Sequence, residues 1–564
     1  MSSFFSRFSV GLLVLLAPLC LPAAAQAPAW QSARTVAVAT ATASTNFSTV
    51  RATAVDAAGN VYLAGYFTNT VLLGNISLTS AGGDDVYVAK FSPATNQFVW
   101  AQRAGGTGSD RASALAVSGS GVYVAGTFDS PLASVGATTL TNAGFSDVFV
   151  AKLTDAGSTG SFAWAQRAGG TDTDQASALA VSGTSVYVAG LFISPAAGFG
   201  AATLVPVGSY DAFVAKLTDA GSTASFAWAQ RAGGTDTDQV YALAASGPNV
   251  YAAGTFSSST ADFGATALAT VGGADAFVAK LTDAGASGSF TWAQRAGGTG
   301  YDAATALVVS GTSLYVAGTV SSPTASVGAT TLTSAGAADV FVAKLTDAGS
   351  TGSFAWAQRA GGTGFDVASA LAVSGASVYV TGYFSGAAAD FGATVLSSAG
   401  ATDVFVTKLT DAGSAGSFAW AQRAGGTFGD DARTLVLGGS SVYVGGQFTS
   451  SASVFGATTL ANPGGPILSL GFLASLTDLT LTAAAAGRAP APASLYPNPA
   501  HGTATLRLPA GTAPAPLVLT DAQGRAVRRY PAPAGPEAAL DLGGRPAGLY
   551  LLRGAGPARR LAVE

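Results

Sequence analysis

Residues Trp100–Ala163 read WAQRAGGTGSDRASALAVSGSGVYVAGTFDSPLASVGATTLTNAGFSDVFVAKLTDAGSTGSFA, and the same 64-residue pattern starts again at Trp164. The tryptophans mark the period. A gap of 70 residues separates Trp30 from Trp100, and five gaps of 64 residues follow, to Trp420. The string WAQRAGG begins at six of the seven tryptophans, whereas Trp30 is followed by QSARTV. A fixed period of this kind is typical of repeat architectures.

Each period contains four short apolar segments separated by turn residues. In the quoted stretch they are Ala112–Val117 (ASALAV), Val122–Phe128 (VYVAGTF), Asp147–Leu153 (DVFVAKL) and the segment that carries the next tryptophan. Their side chains alternate with period two, and Gly, Asp and Ser occupy the turns between them. Four short strands per repeat predict one blade of a β-propeller. The surplus over a compact blade falls between the second and third strands, which predicts a loop that projects from one face. In four repeats this loop contains a Phe-Gly pair, the FG pair, at Phe199, Phe263, Phe391 and Phe455, and we expect the pair to pack the loop against a blade.

The repeats number seven, because the second strand recurs at Tyr62, Tyr123, Tyr187, Tyr251, Tyr315, Tyr379 and Tyr443. The seventh third strand, around residues 471–477 (GFLASLT), has no tryptophan strand after it, whereas the Trp30 segment is left over at the other end. We therefore predict an all-β fold over residues 29–480, a seven-bladed β-propeller with four-stranded blades whose ring is closed by the N-terminal strand. A tandem array of small β-sandwiches is the competing fold, and it gives the Trp30 segment no role.

One family resemblance covers the repeats. The unit VDAAGNVYLAGYF (Val55–Phe67), followed by DVYVAKF and a tryptophan strand, resembles the SBBP-type β-propeller repeat of secreted bacterial proteins. The similarity runs through roughly residues 29–480. Only the first repeat keeps the D-x-x-G-N turn of that family, at Asp56, Gly59 and Asn60. The resemblance implies a structural scaffold and no single activity.

The first 25 residues have the pattern of a secretory signal peptide. Arg7 precedes an apolar segment from Val10 to Leu21, and Ala23, Ala24 and Ala25 offer a small-residue site for signal peptidase. Cys20, the only cysteine of the chain, lies in this segment, so the processed protein has no thiol for a disulfide or a metal. No later apolar run approaches the ~18 residues of a spanning helix, and no transmembrane segment is expected in the mature protein.

The composition changes near the C-terminus. Residues 481–493 form an Ala/Pro linker, and residues 494–564 open with LYPNP and carry a new strand pattern. This tail resembles the C-terminal sorting domain of type IX secretion in Bacteroidota; the matching residues are Tyr496, Pro497, Asn498, Pro499, Gly524, Val527, Gly548, Leu549 and Tyr550. The resemblance implies a small Ig-like β-sandwich, the type IX secretion machinery as a partner, and a secreted or outer-surface location reached through the periplasm. An ordinary small β-sandwich is the alternative.

Most kinds of chemistry are excluded by absence. The 26 Lys and Arg residues are dispersed and the net charge is −4, so a nucleic-acid partner is not expected. The single histidine, His501, lies in the tail, so no Ser-His-Asp or His-zinc site exists in the repeats. We predict that the protein is not an enzyme.

The repeated carboxylates leave one candidate metal site. Asp110, Asp174, Asp238, Asp302, Asp366 and Asp430 end the GGTxxD motif of successive repeats. Identical placement favours a structural role, in which each caps a turn or pairs with Arg or Lys of a neighbouring blade. Asp172 and Asp236 break the symmetry by adding a carboxylate two residues before Asp174 and Asp238. These four aspartates are weak candidates for calcium, and no other cofactor is predicted.

Three functions remain open from the sequence. The first is a non-catalytic surface or secreted propeller that binds a glycan or protein through its loops. The second is a carboxylate-dependent polysaccharide-active enzyme, which predicts a carboxylate-lined pocket that breaks the seven-fold symmetry. The third is a structural spacer of the cell-surface layer. A binding module predicts exposed aromatic side chains, and a spacer predicts neither feature.

Overall fold

The computed structural model describes residues 27–38 and 47–481, and, in the tail, residues 494–496, 499–507, 516–521, 523, 525–533, 537–554 and 556–564. The chain divides into two compact units, residues 1–480 and 481–564. The predicted signal peptide and linker residues 482–493 lie outside the described residues. No helix in the described part of the chain is long and apolar enough to cross a membrane.

The described residues of the first unit form seven antiparallel sheets, each with a set of four strands that lie side by side in the order first, second, third, fourth; three of the sheets are extended to six strands by a hairpin of the next repeat. We number these sheets 1 to 7 along the chain. The first strands are Ser48–Val55, Asp110–Ser118, Asp174–Ser182, Asp238–Ser246, Asp302–Ser310, Asp366–Ser374 and Asp430–Gly438. The second strands are Val61–Phe67, Gly121–Phe128, Ser185–Phe192, Asn249–Phe256, Ser313–Val320, Ser377–Phe384 and Ser441–Phe448. The third strands are Asp85–Ser92, Asp147–Asp155, Asp211–Asp219, Asp275–Asp283, Asp339–Asp347, Asp403–Asp411 and Leu470–Thr477. The fourth strands are Gln97–Gly105, Gly160–Ala168, Ala224–Ala232, Gly288–Gly298, Gly352–Ala360, Gly416–Ala424 and, in sheet 7, Trp30–Val38.

The first strands lie next to one another in a closed series. Each contacts the first strand of the following sheet, and that of sheet 7 contacts that of sheet 1. At this closure the Thr53 amide donates a hydrogen bond of 3.0 Å to the Thr434 hydroxyl. Four-stranded antiparallel sheets arranged radially, with their first strands innermost, are the architecture of a β-propeller.

The N-terminal strand completes sheet 7. Trp30–Val38 pairs antiparallel with Leu470–Thr477, as the leftover segment at the N-terminus predicts. Trp30 does not, however, occupy the position of the other six tryptophans. Trp30 pairs with Leu476, as Phe162 pairs with Leu153 in sheet 2, and its ring meets Phe455 edge to face. Trp30 therefore occupies the position of the phenylalanine two residues before each repeat tryptophan.

The residues between the second and third strands form a second structural element in each repeat, a two-stranded hairpin. The hairpins are Thr70–Leu73 with Ile76–Thr79, Leu132–Val135 with Thr138–Thr141, Ala197–Phe199 with Ala202–Leu204, Thr260–Phe263 with Thr266–Ala269, Thr324–Val327 with Thr330–Thr333, Ala389–Phe391 with Thr394–Leu396, and Ala452–Phe455 with Thr458–Ala461. A 3-10 helix, Gly465–Ile467, follows the last hairpin. Each hairpin pairs with the fourth strand of the preceding sheet, as Ser134 does with Gly105 and Asp262 with Gly233. The prediction of a projecting loop is therefore wrong: the hairpin lies against the fourth strand of the preceding sheet and links the two sheets.

The core of the ring lies between neighbouring sheets. In the space between sheets 3 and 4, Tyr187 and Trp228 of one sheet pack against Phe256, Phe263 and Phe277 of the other. The hairpin phenylalanine of this group is buried, as are those of the other hairpins, which agrees with the packing role expected for the FG pair. Each such ring removes enough apolar surface from water to stabilise the fold by about 1.5–3 kcal/mol.

The second unit consists of two small antiparallel sheets. One contains Ser494–Tyr496, Thr503–Arg507 and Glu537–Asp541, and the other contains Ala526–Tyr530, Leu517–Thr520, Gly548–Gly554 and Gly556–Val563. Both sheets contribute to one apolar cluster that includes Leu506, Leu519 and Leu552. The tail is thus an all-β unit with its own core.

Candidate functional site

A repeated polar contact joins successive sheets at the end where the third strands finish. In sheet 1, the Tyr62 hydroxyl and the Lys90 Nζ each donate to Asp155 Oδ2 of sheet 2 at 2.6 Å. The Trp100 Nε1 donates to Asp155 Oδ1 at 2.9 Å. We call this Tyr–Lys–Trp–Asp group the clasp. The first five clasps are Tyr62, Lys90 and Trp100 with Asp155; Tyr123, Lys152 and Trp164 with Asp219; Tyr187, Lys216 and Trp228 with Asp283; Tyr251, Lys280 and Trp292 with Asp347; and Tyr315, Lys344 and Trp356 with Asp411. In the sixth, Tyr379 and Lys408 donate to Asp478, and Trp420 packs against the Tyr379 ring.

The clasp holds its carboxylate ionised. Burial alone would raise the pKa of Asp411, but hydrogen bonds from Lys344, Tyr315 and Trp356 outweigh it and lower the pKa to about 2. The pKa of Asp478 is likewise lowered to about 2, against burial, by Thr480, Lys408 and Tyr379. The clasp aspartates are therefore fully charged partners of their lysines at neutral pH.

The seventh sheet junction has no clasp. Between sheet 7 and sheet 1, Ser475 pairs with Tyr443 where the other sheets have lysine, and Pro93 follows the third strand at the aspartate position. Here the Arg34 guanidinium lies 4.0 Å above the centre of the Phe91 ring and hydrogen-bonds Asn96. The ring is therefore closed at this junction by strand pairing and a cation–π contact instead of a buried ion pair.

The GGTxxD aspartates lie at the opposite end of the sheets, where the first strands begin; we call this end the loop face. Asp174 is fully buried and accepts hydrogen bonds from the Ser194 hydroxyl at 2.6 Å and the Gly170 amide at 2.7 Å. The turn-capping role expected for this series is thus observed. The alternative, pairing with Arg or Lys of a neighbouring blade, is instead observed for the clasp aspartates, each of which accepts from a lysine of the preceding sheet.

The calcium candidates do not converge. Asp236 is exposed and Asp238 is fully buried, and Asp172 and Asp174 are separated in the same way, with Asp172 only half-buried. Among the described residues, no group of three His, Cys, Asp or Glu side chains is placed to hold a metal ion. In each candidate pair only the first carboxylate lies at the surface.

The pH dependence of stability follows from the two sets of aspartates, those of the GGTxxD motif and those of the clasps. Burial raises the pKa of Asp366 and of Asp430 to about 6. Such groups bind protons more tightly in the folded protein, so stability increases as the pH falls through 6 towards the ordinary value of 3.8. The clasp contribution, in contrast, is lost as the pH falls from 3.8 through about 2. We expect the unfolding temperature to be highest at about pH 4 to 5.

Thermal unfolding between pH 2 and 8, followed by tryptophan fluorescence, tests this expectation. Asp366→Asn keeps an oxygen that accepts from the Gly362 amide but removes the titrating group. The rise in unfolding temperature from pH 8 to pH 5 should therefore be smaller in this variant. A wild-type maximum at pH 7 or above would contradict the prediction.

One cavity, which we call the axial cavity, lies at the centre of the loop face. Its volume is about 700 Å³, and every one of the seven first strands contributes a lining residue: Arg51, Ser113, Ser177, Tyr241, Thr305, Ser369 and Arg433. Each of these seven residues is the extra residue of a β-bulge between the first and second strands. The bulge aims these side chains at the axis, because the extra residue is left out of the strand ladder.

The lining of the axial cavity breaks the symmetry of the ring. Sheets 7, 1 and 2 present Arg433, Arg51 and Arg111, whereas the opposite wall is neutral and carries hydroxyl and amide groups. Arg111 is paired with Asp84 at 2.6 Å and Arg433 with Asp431 at 3.0 Å. Burial lowers the pKa of Arg51, and the charges of Arg433 and Arg111 lower it further. The two sides of the cavity are therefore electrostatically different.

Exposed aromatic rings lie on the loop face, and one of them lines the cavity. Phe145 lines the cavity and is 74% exposed. Phe365 and Phe428, which precede first strands on the same face, are 60% and 42% exposed. The hydroxyls of Tyr241 and Tyr301 lie 3.1 Å apart. Rings of this kind provide flat apolar surface next to polar groups, a combination found in ligand sites.

The sorting residues of the tail are described in part. Pro497, Asn498 and Gly524 lie outside the described residues, as does the side chain of Tyr496. Pro499 is exposed and Val527 lies in Ala526–Tyr530. Gly548, Leu549 and Tyr550 begin the strand Gly548–Gly554; Leu549 is 50% exposed, whereas the Tyr550 hydroxyl donates to the Pro546 carbonyl at 2.8 Å. His501 is exposed beside Glu564.

Sequence reasoning missed both the clasp and the axial arginines. A signal for each exists in the repeat alignment. The clasp aspartate, lysine and tryptophan recur together and are lost together, at Pro93, Ser475 and Ser32. At the bulge position the seven first strands carry arginine in two copies and neutral residues in five, and the position two residues earlier varies in charge as well, with Arg111 and Asp431.

The fold and the axial cavity together define a β-propeller with a cavity of ligand size. No protein-family model matches the chain, and no curated protein matches it. The WD40 domain of Pan2 from Neurospora crassa is similar at 10% identity over 80% of this chain and 98% of its own, with a TM-score of 0.39. A protein from Lactobacillus plantarum is similar at 14% identity over 85% of this chain and 99% of its own, with a TM-score of 0.38. At such scores the propeller assignment rests on the strand pairing of this chain.

Proposed function

We propose that this chain is an exported seven-bladed β-propeller that binds a saccharide in the axial cavity of its loop face, without catalysis. The observation that carries the proposal is the lining of the axial cavity, which differs from blade to blade while the rest of the repeat is nearly constant. A scaffold alone needs no such difference, because packing between blades is carried by the repeated aromatic rings and clasps. A volume of about 700 Å³ is within the range of small-ligand sites.

The proposed number of blades is supported by the seven sheets and by the contact between the first strands of sheets 7 and 1. The strand Trp30–Val38 pairs with Leu470–Thr477 and completes the set of four strands in sheet 7. Each sheet is one blade, and the cavity is the axial channel that a propeller leaves between its first strands.

Saccharide binding is supported by the groups at the cavity. Ser177, Thr305, Gln175 and Gln239 line it with hydroxyls and amides that match sugar hydroxyls. Tyr241 and Phe145 add aromatic surface for the apolar face of a sugar ring.

The geometry gives less support to a carboxylate-dependent glycosidase. Such chemistry uses two facing carboxylates, and Asp129 is the one acidic residue among the described residues that line the cavity.

Export and surface delivery complete the proposal. The signal-peptide pattern of residues 1–25 and the sorting-domain pattern of residues 494–564 support passage to the periplasm and then through the outer membrane by type IX secretion. The two small sheets of the second unit are compatible with the Ig-like sandwich of such sorting domains. The propeller would then act in the secreted medium or at the outer cell surface, where polysaccharides are available.

A glycan array tests the binding function. The labelled mature chain, from residue 26 onward, should bind a subset of glycans, and Ser177→Trp should reduce that binding at least about 10-fold by filling the cavity. Thr184→Trp is the matched control, because Thr184 lies in the same sheet, in an exposed turn at the opposite end. Failure of the mature chain to bind any glycan, or equal binding by both variants, would contradict the proposal.

A further inference from the structure

The unpaired charge in the axial cavity is Arg51. Its guanidinium makes no hydrogen bond or ion pair with any residue in the described part of the chain, although it is half-buried and lines the cavity. The arginine that recurs in the fourth strands of sheets 1 to 6 is compensated: Arg103, Arg167, Arg231, Arg295, Arg359 and Arg423 each pair with an aspartate of the same sheet. A guanidinium held away from water without a counter-ion is costly unless a ligand supplies one.

The surroundings of Arg51 make the lack of a counter-ion more pronounced. The charged side chains that act on it are the arginines of the two flanking sheets, Arg433 and Arg111, and the Tyr66 hydroxyl, which is neutral at pH 7, is its other electrostatic neighbour. Arg433 Nε is buried and has no hydrogen-bond partner among the described residues. Asp129, the acidic residue of the lining, interacts with Arg111 and not with Arg51. Sheets 7 and 1 therefore offer free N–H donors around one uncompensated positive charge.

The opposite wall of the cavity restricts the ligand further. Gln239 Nε2 donates to the Ser177 hydroxyl at 3.1 Å, and Tyr241 lies beside them on sheet 4. This wall offers neutral hydrogen-bonding groups and an aromatic ring, and it lies across the axis from the arginines. A ligand that fits both walls carries an anionic group at one end and hydroxyl groups on a compact ring at the other.

Resting on the proposed function, we infer that the axial cavity selects an acidic sugar, whose carboxylate or sulfate ester is bound by Arg51 and Arg433 and whose ring lies towards Tyr241. Planar guanidinium groups bind such oxyanions through paired N–H donors. Bound ligand then supplies the counter-ion that the free protein lacks. The sequence supports the same assignment, because arginine replaces the serine of sheets 2, 3 and 6 at the bulge position of sheets 1 and 7.

Calorimetric titration of the mature full chain tests the inference with three probes of matched length. These are an oligogalacturonate, its carboxyl-reduced neutral form, and a sulfated galactan oligosaccharide. We expect one or both acidic probes to bind at least about 10-fold more tightly than the neutral one, with an affinity that falls as salt increases. The two acidic probes distinguish a uronate from a sulfate ester.

Arg51→Ser introduces the serine that sheets 2, 3 and 6 have at the bulge position. It should weaken binding of the preferred acidic probe about 10- to 100-fold and leave binding of the neutral probe unchanged. It should not lower the unfolding temperature, because Arg51 has no partner to lose. If Arg51 had only a structural role, the substitution would lower the unfolding temperature. Arg553→Ser, an exposed arginine of the second unit, is the matched change of net charge and should affect neither probe.

The outcomes separate the inference from the proposed function. If the neutral probe binds as tightly as the acidic ones, and Ser177→Trp abolishes both, the saccharide function stands and the acidic specificity is overturned. If sodium sulfate competes as well as the sulfated oligosaccharide, the cavity is a simple anion site and the sugar is not recognised. Absence of binding by all probes and by the glycan array overturns both proposals.

Discussion

Asp347→Ala is expected to destabilise the propeller by about 3–5 kcal/mol, the typical cost of removing one partner of a buried ion pair. Asp347 accepts from Lys280 and Tyr251 at 2.7 Å and from the Trp292 Nε1 at 3.1 Å. The lysine side chain is 5% exposed and the aspartate side chain 8% exposed. Alanine leaves a buried ammonium, the Tyr251 hydroxyl, the Trp292 Nε1 and the Gly349 amide without their acceptor. The lysine then keeps a hydrogen bond to the Gly349 carbonyl and its position over the Tyr251 ring.

Urea unfolding followed by tryptophan fluorescence measures this cost. Asp236→Ala removes an exposed aspartate from the loop face, away from the clasps, and should change the free energy of unfolding by less than about 0.5 kcal/mol. The double variant Asp347→Ala with Lys280→Met should recover part of the loss, because the unpaired charge is then absent. A loss below about 1 kcal/mol for Asp347→Ala would show that the clasp contributes little to joining the sheets.

Gly233→Ala is expected to cost about 4 kcal/mol, the combined cost of a strained backbone and an overfilled site. Gly233 has a φ of 139°, and an added Cβ would lie 2.5 Å from Asp211 Oδ1 and 2.6 Å from Asp238 Oδ2. Both carboxylates are buried, and the hairpin of the same repeat pairs with Gly233, so none of the three can move away freely. This crowding explains why the first glycine of WAQRAGG recurs in six repeats.

Gly247→Ala is the matched control, because it makes the same change in the same repeat. Gly247 also has a positive φ, of 59°, but no atom lies within 4 Å of the added Cβ. It should cost about 1–2 kcal/mol, the left-handed backbone penalty alone. Thermal and urea unfolding of the two variants give the comparison, and equal costs would refute the proposed crowding at Gly233.

Several features of the protein could be predicted from the sequence because they depend on local patterns. Strand alternation depends on period-two residues such as those of Val122–Phe128, and turns depend on Gly and Asp, so the four strands of each repeat are visible in the printed chain. The count of repeats and the leftover Trp30 segment likewise predicted which strand completes sheet 7. The burial of the hairpin phenylalanines followed from their regular spacing.

The tertiary structure decided which residues meet across sheets. The register of Trp30–Val38 could not be obtained from the tryptophan spacing, because a bulge after Trp30 shifts the pairing and places Ser32 opposite Ser475. Asp155 meets Lys90 across 65 residues of sequence, a contact set by how far neighbouring sheets are rotated about the axis. The pairing partner of each repeated charge is therefore a property of the ring.

The axial cavity is a second feature that the tertiary structure decided. In the sequence, Arg51, Arg433 and Tyr241 occupy the same position of the repeat. The sequence alone does not show that the residues at this position lie around a common axis. Only ring closure brings seven bulged residues, spread over almost 400 residues, around one axis. A repeated sequence determines its strands through local patterns, whereas the site at its centre exists because long-range packing closes the ring.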